Sequence, residues 1–152
     1  MNHWLLKTEP SAFSFDDLLA APRKTTGWSG VRNYQARNSL RDEMKKGDLA
    51  LIYHSNADPS AVIGLAEVVR EGYPDPTQFD AKDDHYDPDS PREDPRWFQV
   101  EVKAIRKLKR PVSLEEIKAT KALAGMLLVQ RSRLSVQKVA KPDYDLIVRM
   151  GS

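Results

Sequence analysis

The chain has 152 residues, 40% hydrophobic and 30% charged, which is ordinary for one globular domain with a core of its own. It has no cysteine, which excludes disulfide bonds and thiolate chemistry and removes the strongest zinc ligands. The net charge of +2 hides an asymmetry: residues 1–98 carry 12 basic and 17 acidic side chains, whereas residues 99–152 carry 12 and 5. Such a basic segment favours a phosphate backbone as partner, although a solvated surface has the same composition.

The N-terminal segment has neither a basic leader nor a long apolar run. A secretion signal and a membrane span both need a long apolar stretch. We therefore predict a cytoplasmic protein that does not contact a membrane.

In chain order, the pattern first predicts a buried strand at residues 4–7 and a short helix at 14–20 with Ser14 as N-cap. A helix follows at 32–45, then strands at 49–54, 61–70 and 97–105. Ser113 and Glu116 indicate a capping box. Residues 126–129 and 134–136 are strand-like, and 142–150 predict a final helix. Short strands with small helices predict an α+β domain around a compact, mostly antiparallel β-barrel.

Residues 72–96 differ from the rest of the chain, since they hold five prolines and eight acids with few aliphatic side chains. This composition predicts a long loop. Within it, residues 83–89 (DDHYDPD) lack the glycine and distal glutamate of a calcium loop. The three histidines lie in separate segments, so the sequence does not indicate a catalytic triad. The chain also has no glycine-rich loop of the kind that binds a triphosphate. We therefore predict no metal, no cofactor and no catalytic residue.

The segment 27–38, GWSGVRNYQARN, is the best candidate for recognition. It places a tryptophan in a glycine loop, and amides and arginines follow it. An aromatic surface with neutral hydrogen-bonding groups suits a planar polar heterocycle such as a nucleobase. The alternative is that Trp28 completes a hydrophobic cluster and the polar side chains form a solvated helix face. The candidate pocket residues are Trp28, Ser29, Asn33, Tyr34, His54 and Ser55.

Several motifs in a fixed order also resemble a known family. They include WLLKTEP at residues 4–10, WSGVRNYQARN at 28–38, YHS at 53–55, VIGLAEV at 62–68 and RLSV at 133–136. Together they make the chain similar to the EVE domain family of the PUA-like superfamily. The resemblance covers almost the whole chain and implies a single domain, 1–152, built as a PUA-like, mostly antiparallel β-barrel with short peripheral helices.

The resemblance further implies a non-catalytic reader that binds a modified nucleobase in DNA or RNA. Carried over by position, Trp28 and Ser29 line the pocket, Asn33, Tyr34 and Arg37 flank it, and His54 with Ser55 form the opposite wall. Lys7, Thr8 and Glu9 shape the floor or rim. We expect phosphate contacts from Arg32, Arg37, Arg131 and Arg133. The chain departs from the family at 130–136, where Ser132 and two arginines stand in a segment that commonly contains proline.

Two alternatives belong to other functional classes. The chain could be an enzyme acting on a small heterocycle or nucleotide, with His54 as general acid or base and Glu9 orienting it. It could also be an interaction module whose acidic loop, residues 75–94, binds a basic partner. Loss of turnover in a His54 variant would indicate the enzyme, and loss of partner binding on loop deletion would indicate the module.

Overall fold

The structure is a computed structural model that describes residues 1–130 and 133–152. Six strands and four short α-helices form the main elements of this described part. The strands are β1 (His3–Thr8), β2 (Thr25–Gly27), β3 (Leu49–His54), β4 (Ala61–Pro74), β5 (Phe98–Ser113) and β6 (Val136–Val139). The helices are α1 (Phe15–Ala20), α2 (Tyr34–Asn38), α3 (Leu114–Ala119) and α4 (Lys141–Met150). The prediction of an α+β fold is confirmed.

The strands form one mixed sheet in the order β2-β5-β4-β3-β1-β6. The pairing of β1 with β3 is parallel, and the other four pairings are antiparallel, so the mostly antiparallel character is confirmed. The predicted closed barrel is wrong: within the described residues the edge strands β2 and β6 do not pair, and the sheet is open. Because these edges have only three and four residues, they are too short for the continuous ladder that closure requires.

Both faces of the sheet are covered, which explains why β1 and β3 are apolar along most of their length. Successive side chains of a strand point to opposite faces. In β1, Trp4 and Leu6 enter one hydrophobic cluster, whereas Leu5 enters another. The first cluster includes Phe15 of α1, and the second includes Ile147 of α4. The sheet is therefore the middle layer between two groups of helices.

The helix ends follow the sequence signals only in part. Ser14 is the N-cap of α1 as predicted, and its hydroxyl accepts a hydrogen bond from the Asp17 N–H at 3.0 Å. The Asp17 carboxylate accepts from the Ser14 N–H at 2.8 Å, which completes a capping box. Ser113 caps α3 by accepting from the Glu116 N–H at 3.1 Å. The Glu116 carboxylate instead accepts from Arg110, so the capping box predicted there is half formed.

Two predicted elements have a different form in the structure. The helix predicted at 32–45 begins only after Asn33, which is the N-cap of α2, and α2 passes into a π-helical turn at Ser39–Glu43. Residues 126–129, predicted as a strand, form turns. They are apolar because Met126 and Leu128 pack into the second hydrophobic cluster. A short apolar run does not by itself distinguish a strand from a buried turn.

Of the segment 72–96 that was predicted as a loop, residues 72–74 belong to β4 and the remainder, the acidic segment 75–96, is largely loop. Buried polar groups hold this acidic segment to the body of the protein. Gln78 is fully buried, and its side-chain amide donates to the backbone oxygens of Asp75 and Trp97 at 2.7 and 2.9 Å. Its Oε1 accepts from the Ser90 hydroxyl at 2.6 Å. Hydrogen bonds between buried groups replace the apolar packing that this segment lacks.

The part of the chain that the structure describes contains no helix long and apolar enough to cross a membrane. In the same residues, no three His, Asp or Glu side chains are grouped as metal ligands would be. The acidic run that suggested a metal loop is instead occupied with local contacts, such as the hydrogen bond from the His85 N–H to Asp83 at 2.8 Å.

Candidate functional site

A concave cavity of about 960 Å³ lies where β1 and β3 end. Its lining comes from both sides of the open sheet, with Thr26 and Gly27 on the edge strand β2, Lys7 and Thr8 on the inner strand β1, and Ser135 just before the other edge strand, β6. Its lining comprises Lys7, Thr8, Glu9, Ala12, Phe13, Thr26, Gly27, Trp28, Ser29, Gly30, Val31, Arg32, Ser55, Asn56, His85, Arg133 and Ser135. The volume of this cavity suits a small organic group.

The parallel register of β1 and β3 brings one side of this lining together. Thr8 lies opposite His54, so the two strands end at the same edge of the sheet. The residues that follow each strand therefore meet: the side-chain amide of Asn56 donates to Glu9 at 2.6 Å. The Ser55 N–H donates to the backbone oxygen of Thr8 at 2.9 Å. Two segments almost fifty residues apart form one polar wall.

Trp28 belongs to the cavity and to the hydrophobic core at once. It lines the cavity, yet only 6% of its surface is exposed and it packs in the first hydrophobic cluster. Its ring meets Phe13 edge to face, with the ring centres 6.4 Å apart. The N–H of Trp28 donates to the Val100 oxygen at 2.8 Å, which fixes the backbone. The indole therefore offers the cavity a narrow but rigid aromatic surface.

The two glycines beside Trp28 are required by close approaches. A β-carbon on Gly27 would collide with the side-chain amide of Gln99. Gly30 has φ +81°, and a β-carbon there would lie 2.8 Å from Cε1 and Nε2 of His85. Positive φ is uncommon for residues other than glycine. Gly30 is thus favoured by both its backbone conformation and its neighbour, whereas a larger residue at position 27 would require the Gln99 side chain to move.

Asp75 connects this loop to the acidic segment. Its fully buried carboxylate accepts from the Gly30 N–H at 2.8 Å, the Thr77 N–H at 2.7 Å and the Arg32 guanidinium at 3.1 Å. Burial alone would raise the pKa of Asp75, but the hydrogen bonds from Thr77, Gly30 and Arg32 outweigh it and lower the pKa below its ordinary value. The charged form of this acid is part of the folded site.

His85 is a wall of the cavity that comes from the acidic segment. Its backbone oxygen accepts two hydrogen bonds from Arg32, at 2.8 and 3.2 Å, and its ring nitrogen Nδ1 lies 3.1 Å from Asp83. Its ring covers Gly30. Arg32, expected to contact phosphate, therefore lines the cavity while holding Asp75 and His85 in place.

Three expected residues lie outside the lining. Asn33 is the N-cap of α2, and its side chain accepts from the Ala36 N–H at 3.0 Å. Tyr34 stacks on Trp97 with ring centres 4.9 Å apart, and the Arg37 guanidinium lies 4.9 Å from the Tyr34 ring centre. Tyr34 and Arg37 therefore pack against each other, and Asn33 caps the helix that follows the Trp28 loop.

His54 is also outside the lining and has a structural partner. Its Nε2 accepts from the Phe15 N–H at 3.0 Å, at the start of α1, which requires a neutral ring. Burial lowers the pKa of His54, and Lys107 adds to this effect while Asp16 opposes it. Glu9, which would orient His54 in an enzyme, contacts Asn56 instead. No general acid–base pair joins His54 to Glu9.

Besides Arg32, two cations border the cavity, Lys7 from β1 and the exposed Arg133. Burial lowers the pKa of Lys7. Arg131 and Ser132 lie outside the described residues, so the expected phosphate contact of Arg131 stays a prediction. Of the segment that departs from the family pattern, Arg133 and Ser135 line the cavity.

Sequence reasoning brought together Lys7, Thr8, Glu9, Trp28, Ser29, Ser55, Arg32 and Arg133, all of which line the cavity. It did not name nine other lining residues: Ala12, Phe13, Thr26, Gly27, Gly30, Val31, Asn56, His85 and Ser135. Most of these are immediate neighbours in the chain of residues that were named, so the loops as whole units were the better guide. His85 is the exception, because the acidic run around it indicated only a solvated loop.

Comparisons with known proteins find relatives along nearly the whole chain. The family model for the EVE domain matches residues 2–150. Thymocyte nuclear protein 1 of Gallus gallus is 46% identical over 165 residues, which cover 97% of this chain and 68% of that protein.

Two solved structures superpose along nearly the entire chain. One is a crystal structure of human THYN1 protein in complex with 5-methylcytosine-containing DNA, 42% identical, with a TM-score of 0.94 and coverage of 100% of this chain and 98% of that one. The other is a hypothetical protein from Leishmania major, 44% identical, with a TM-score of 0.94 and coverage of 99% and 94%.

The names of the relatives correct one expectation. The proteins from Gallus gallus, Mus musculus, Rattus norvegicus and Homo sapiens are all called thymocyte nuclear protein 1. These names point to the nucleus. The prediction of a cytoplasmic protein is therefore wrong.

Proposed function

The chain belongs to the EVE domain family, and from this premise we propose that it is a non-catalytic reader of a modified base in DNA. The base occupies the cavity beside Trp28. The observation that carries the proposal is this cavity, in a chain 42% identical to human THYN1, whose crystal structure contains 5-methylcytosine-containing DNA. We take residues 1–152 as one EVE domain of the PUA-like type, and DNA rather than RNA as its polymer.

The cavity has the chemistry that a flat polar ring needs. Trp28 supplies the aromatic surface, and stacking of a base on such a side chain contributes about 1–3 kcal/mol. Ser29, Ser55 and Asn56 offer hydroxyl and amide groups that donate and accept hydrogen bonds. A base in a duplex reaches this cavity only when it is turned out of the stack, which costs a few kcal/mol.

An apolar part of the cavity lining could contact the methyl group of a modified base. Ala12, Phe13 and Val31 bring carbon atoms to the same cavity. Burial of one methyl group contributes about 0.8 kcal/mol, so contact alone gives only a modest preference for the methylated base. A stronger preference requires a polar group of the lining that is left unpaired when the wrong base enters.

The remaining expected residues have supporting roles in this proposal. Asn33, Tyr34, Arg37 and His54 hold the helices next to the cavity, as their contacts indicate. The exposed Arg133 contacts a phosphate, and we keep Arg131 in the same role. The enzyme alternative has no support from His54, which is engaged with the backbone of Phe15.

The proposal is tested by filling the cavity. Ser29 is exposed and lines the cavity, so Ser29→Phe adds bulk at the site without disturbing the core. Fluorescence anisotropy is measured with labelled duplexes that contain one 5-methylcytosine or one cytosine. We expect Ser29→Phe to remove the preference for the methylated duplex and to retain the weaker, salt-sensitive binding of both.

The control is Ala119→Phe, which adds similar bulk at an exposed position of α3. It should keep the preference of the parent protein. If Ser29→Phe also keeps it, the cavity is not the base site.

A further inference from the structure

The turn Pro22–Lys24, just before β2, has an unusual backbone. Arg23 has φ 57° and Lys24 has φ 55°, two consecutive residues in the left-handed region. Glycine and asparagine enter this region far more readily than long side chains do. The chain nevertheless has two cations here, and both are exposed. Strain of this kind is retained mainly where the side chains have a function.

The turn is well defined. The Lys24 N–H donates to the Ala21 oxygen at 2.8 Å, and the Thr25 hydroxyl donates to the Arg23 oxygen at 2.9 Å. The turn also packs against α1 and β5. The backbone that carries the two cations is therefore held in place, which lowers the entropy lost when they bind a ligand.

A third cation stands next to the turn. Thr25 pairs with Lys103 of β5, and Lys103 is exposed. Among the described residues, Arg23, Lys24 and Lys103 take part in no ion pair, although Glu67 of β4 lies opposite Lys103 in the sheet. By contrast, Lys107 farther along β5 is paired with Asp16 at 2.9 Å. The three cations are available to an anionic partner.

This group of cations adjoins the cavity. The strand that follows Lys24 continues into Thr26 and Gly27, which line the cavity. Two residues of strand span about 7 Å, close to the rise of two nucleotides along one strand of a duplex, about 3.4 Å each. A phosphate near the base in the cavity is therefore within reach of the turn.

We propose that Arg23, Lys24 and Lys103 form a phosphate-binding surface for the DNA backbone that flanks the base. This inference rests on the proposed function. This surface binds methylated and unmethylated DNA alike, because phosphates carry no sequence information. The cavity then supplies the preference between bases, and the basic surface supplies affinity and its dependence on salt.

The test is the salt dependence of binding for the double variant Arg23→Asn with Lys24→Asn. Asparagine removes both charges and tolerates positive φ, so the turn is preserved. Each phosphate contact contributes about 0.9 to the slope of log K against log salt concentration. We expect the slope for both the 5-methylcytosine and the cytosine duplex to fall by about 1.8, with the ratio of the two affinities unchanged. Lys103→Gln, on a regular strand, should lower the slope by about 0.9.

The matched control is Lys118→Asn with Lys121→Asn, which removes two exposed cations beyond the far end of β5. They follow Ser113, which lies ten positions after Lys103 at the other end of β5. An unchanged slope in the Arg23 and Lys24 variant, or an equal loss in the control, overturns the proposal. If the parent protein shows no base preference while the slope falls only in the turn variant, the basic surface stands and the base reader fails.

Discussion

The Asp75 carboxylate accepts a hydrogen bond from the Gly30 N–H, 45 residues earlier in the chain, at 2.8 Å. The same oxygen accepts from Arg32 at 3.1 Å. A single buried acid thus joins the acidic segment to the loop that carries Trp28. The wall that His85 adds to the cavity depends on this connection, since Arg32 also holds the His85 backbone.

Replacing Asp75 should therefore weaken the whole protein. In Asp75→Asn the amide nitrogen faces donors and Arg32 loses its buried counter-charge. We expect the free energy of unfolding, measured by urea denaturation, to fall by about 3 kcal/mol. Asp84→Asn, at an exposed position of the same segment, should change it by less than about 0.5 kcal/mol. Equal effects of the two variants would show that Asp75 does not hold the segment.

The same acid predicts a dependence of stability on pH. The pKa of Asp75 is lower in the folded protein than its ordinary value, near 3.9 in an unfolded chain. Its contribution is therefore complete above about pH 4 and is lost as the pH falls through the folded pKa. Urea denaturation between pH 6 and 3 should show a steeper fall for the parent protein than for Asp75→Asn. Parallel curves would contradict a charged Asp75 in the fold.

His54 should matter for stability and not for selectivity. Because its pKa is lowered by burial and its Nε2 accepts from Phe15, its contribution is present above pH 6.5 and decreases as the pH falls through the folded pKa. His54→Ala should cost about 1 kcal/mol of stability at pH 7.5. The ratio of affinities for methylated and plain duplexes should stay the same. If a fully folded His54→Ala variant no longer preferred the methylated duplex, His54 would be part of the base-binding site after all.

Alanine substitutions at Gly30 and Gly47 can separate the cost of backbone strain from the cost of a steric clash with His85. Both have positive φ, +81° and +94°, but a β-carbon on Gly47 meets nothing within 4 Å, whereas one on Gly30 meets His85. Gly47→Ala should cost about 1 kcal/mol through strain alone. Gly30→Ala should cost more and should reduce DNA affinity, since His85 must move.

The double variant Gly30→Ala with His85→Ala provides the check on this explanation. Without the His85 ring, the alanine at position 30 causes only backbone strain. Adding Gly30→Ala to His85→Ala should therefore cost less stability than Gly30→Ala costs in the parent protein. Melting temperatures and duplex affinities of the four variants measure the coupling. Simple additivity of the two changes would exclude the contact as the cause.

Trp28 and Trp97 offer a matched pair for the stacking role. Each is 6% exposed, but only Trp28 lines the cavity. Alanine at either site would cost about 3–5 kcal/mol of stability, so phenylalanine is the better replacement. Trp28→Phe should weaken binding of the 5-methylcytosine duplex by about 1 kcal/mol, roughly fivefold, because a smaller ring stacks less.

Trp97→Phe should lose the hydrogen bond from the indole N–H to Asp87 at 2.7 Å and hence some stability. It should keep the affinity for the methylated duplex. Anisotropy titrations of the two variants at one salt concentration compare them directly. Equal losses of affinity would indicate that both tryptophans act only through the fold.

Much of the cavity could be predicted because its residues follow strands that periodicity identifies. The apolar runs at β1 and β3 were recognisable, and the residues after them, Thr8, Glu9 and Ser55, line the cavity. Trp28 and Ser29 were recognisable from the glycine loop. By residue type, Asn33, Tyr34 and His54 are as well suited to bind a base, but each contacts another group of the protein instead. The spacing of residues in the sequence does not show these contacts.

The sequence by itself determined the long strands β1, β3, β4 and β5, the first helix cap, the family and the loops from which the cavity is built. These depend on local pattern, such as the apolar run of β1 and the serine before α1. Only the tertiary structure decided that the sheet stays open and that His85 completes the cavity. The position of His85 depends on contacts between distant segments, the Asp75–Gly30 hydrogen bond above all. The open sheet depends on the edge strands β2 and β6, which do not pair within the described residues, because which strands meet is set by the packing of the whole chain.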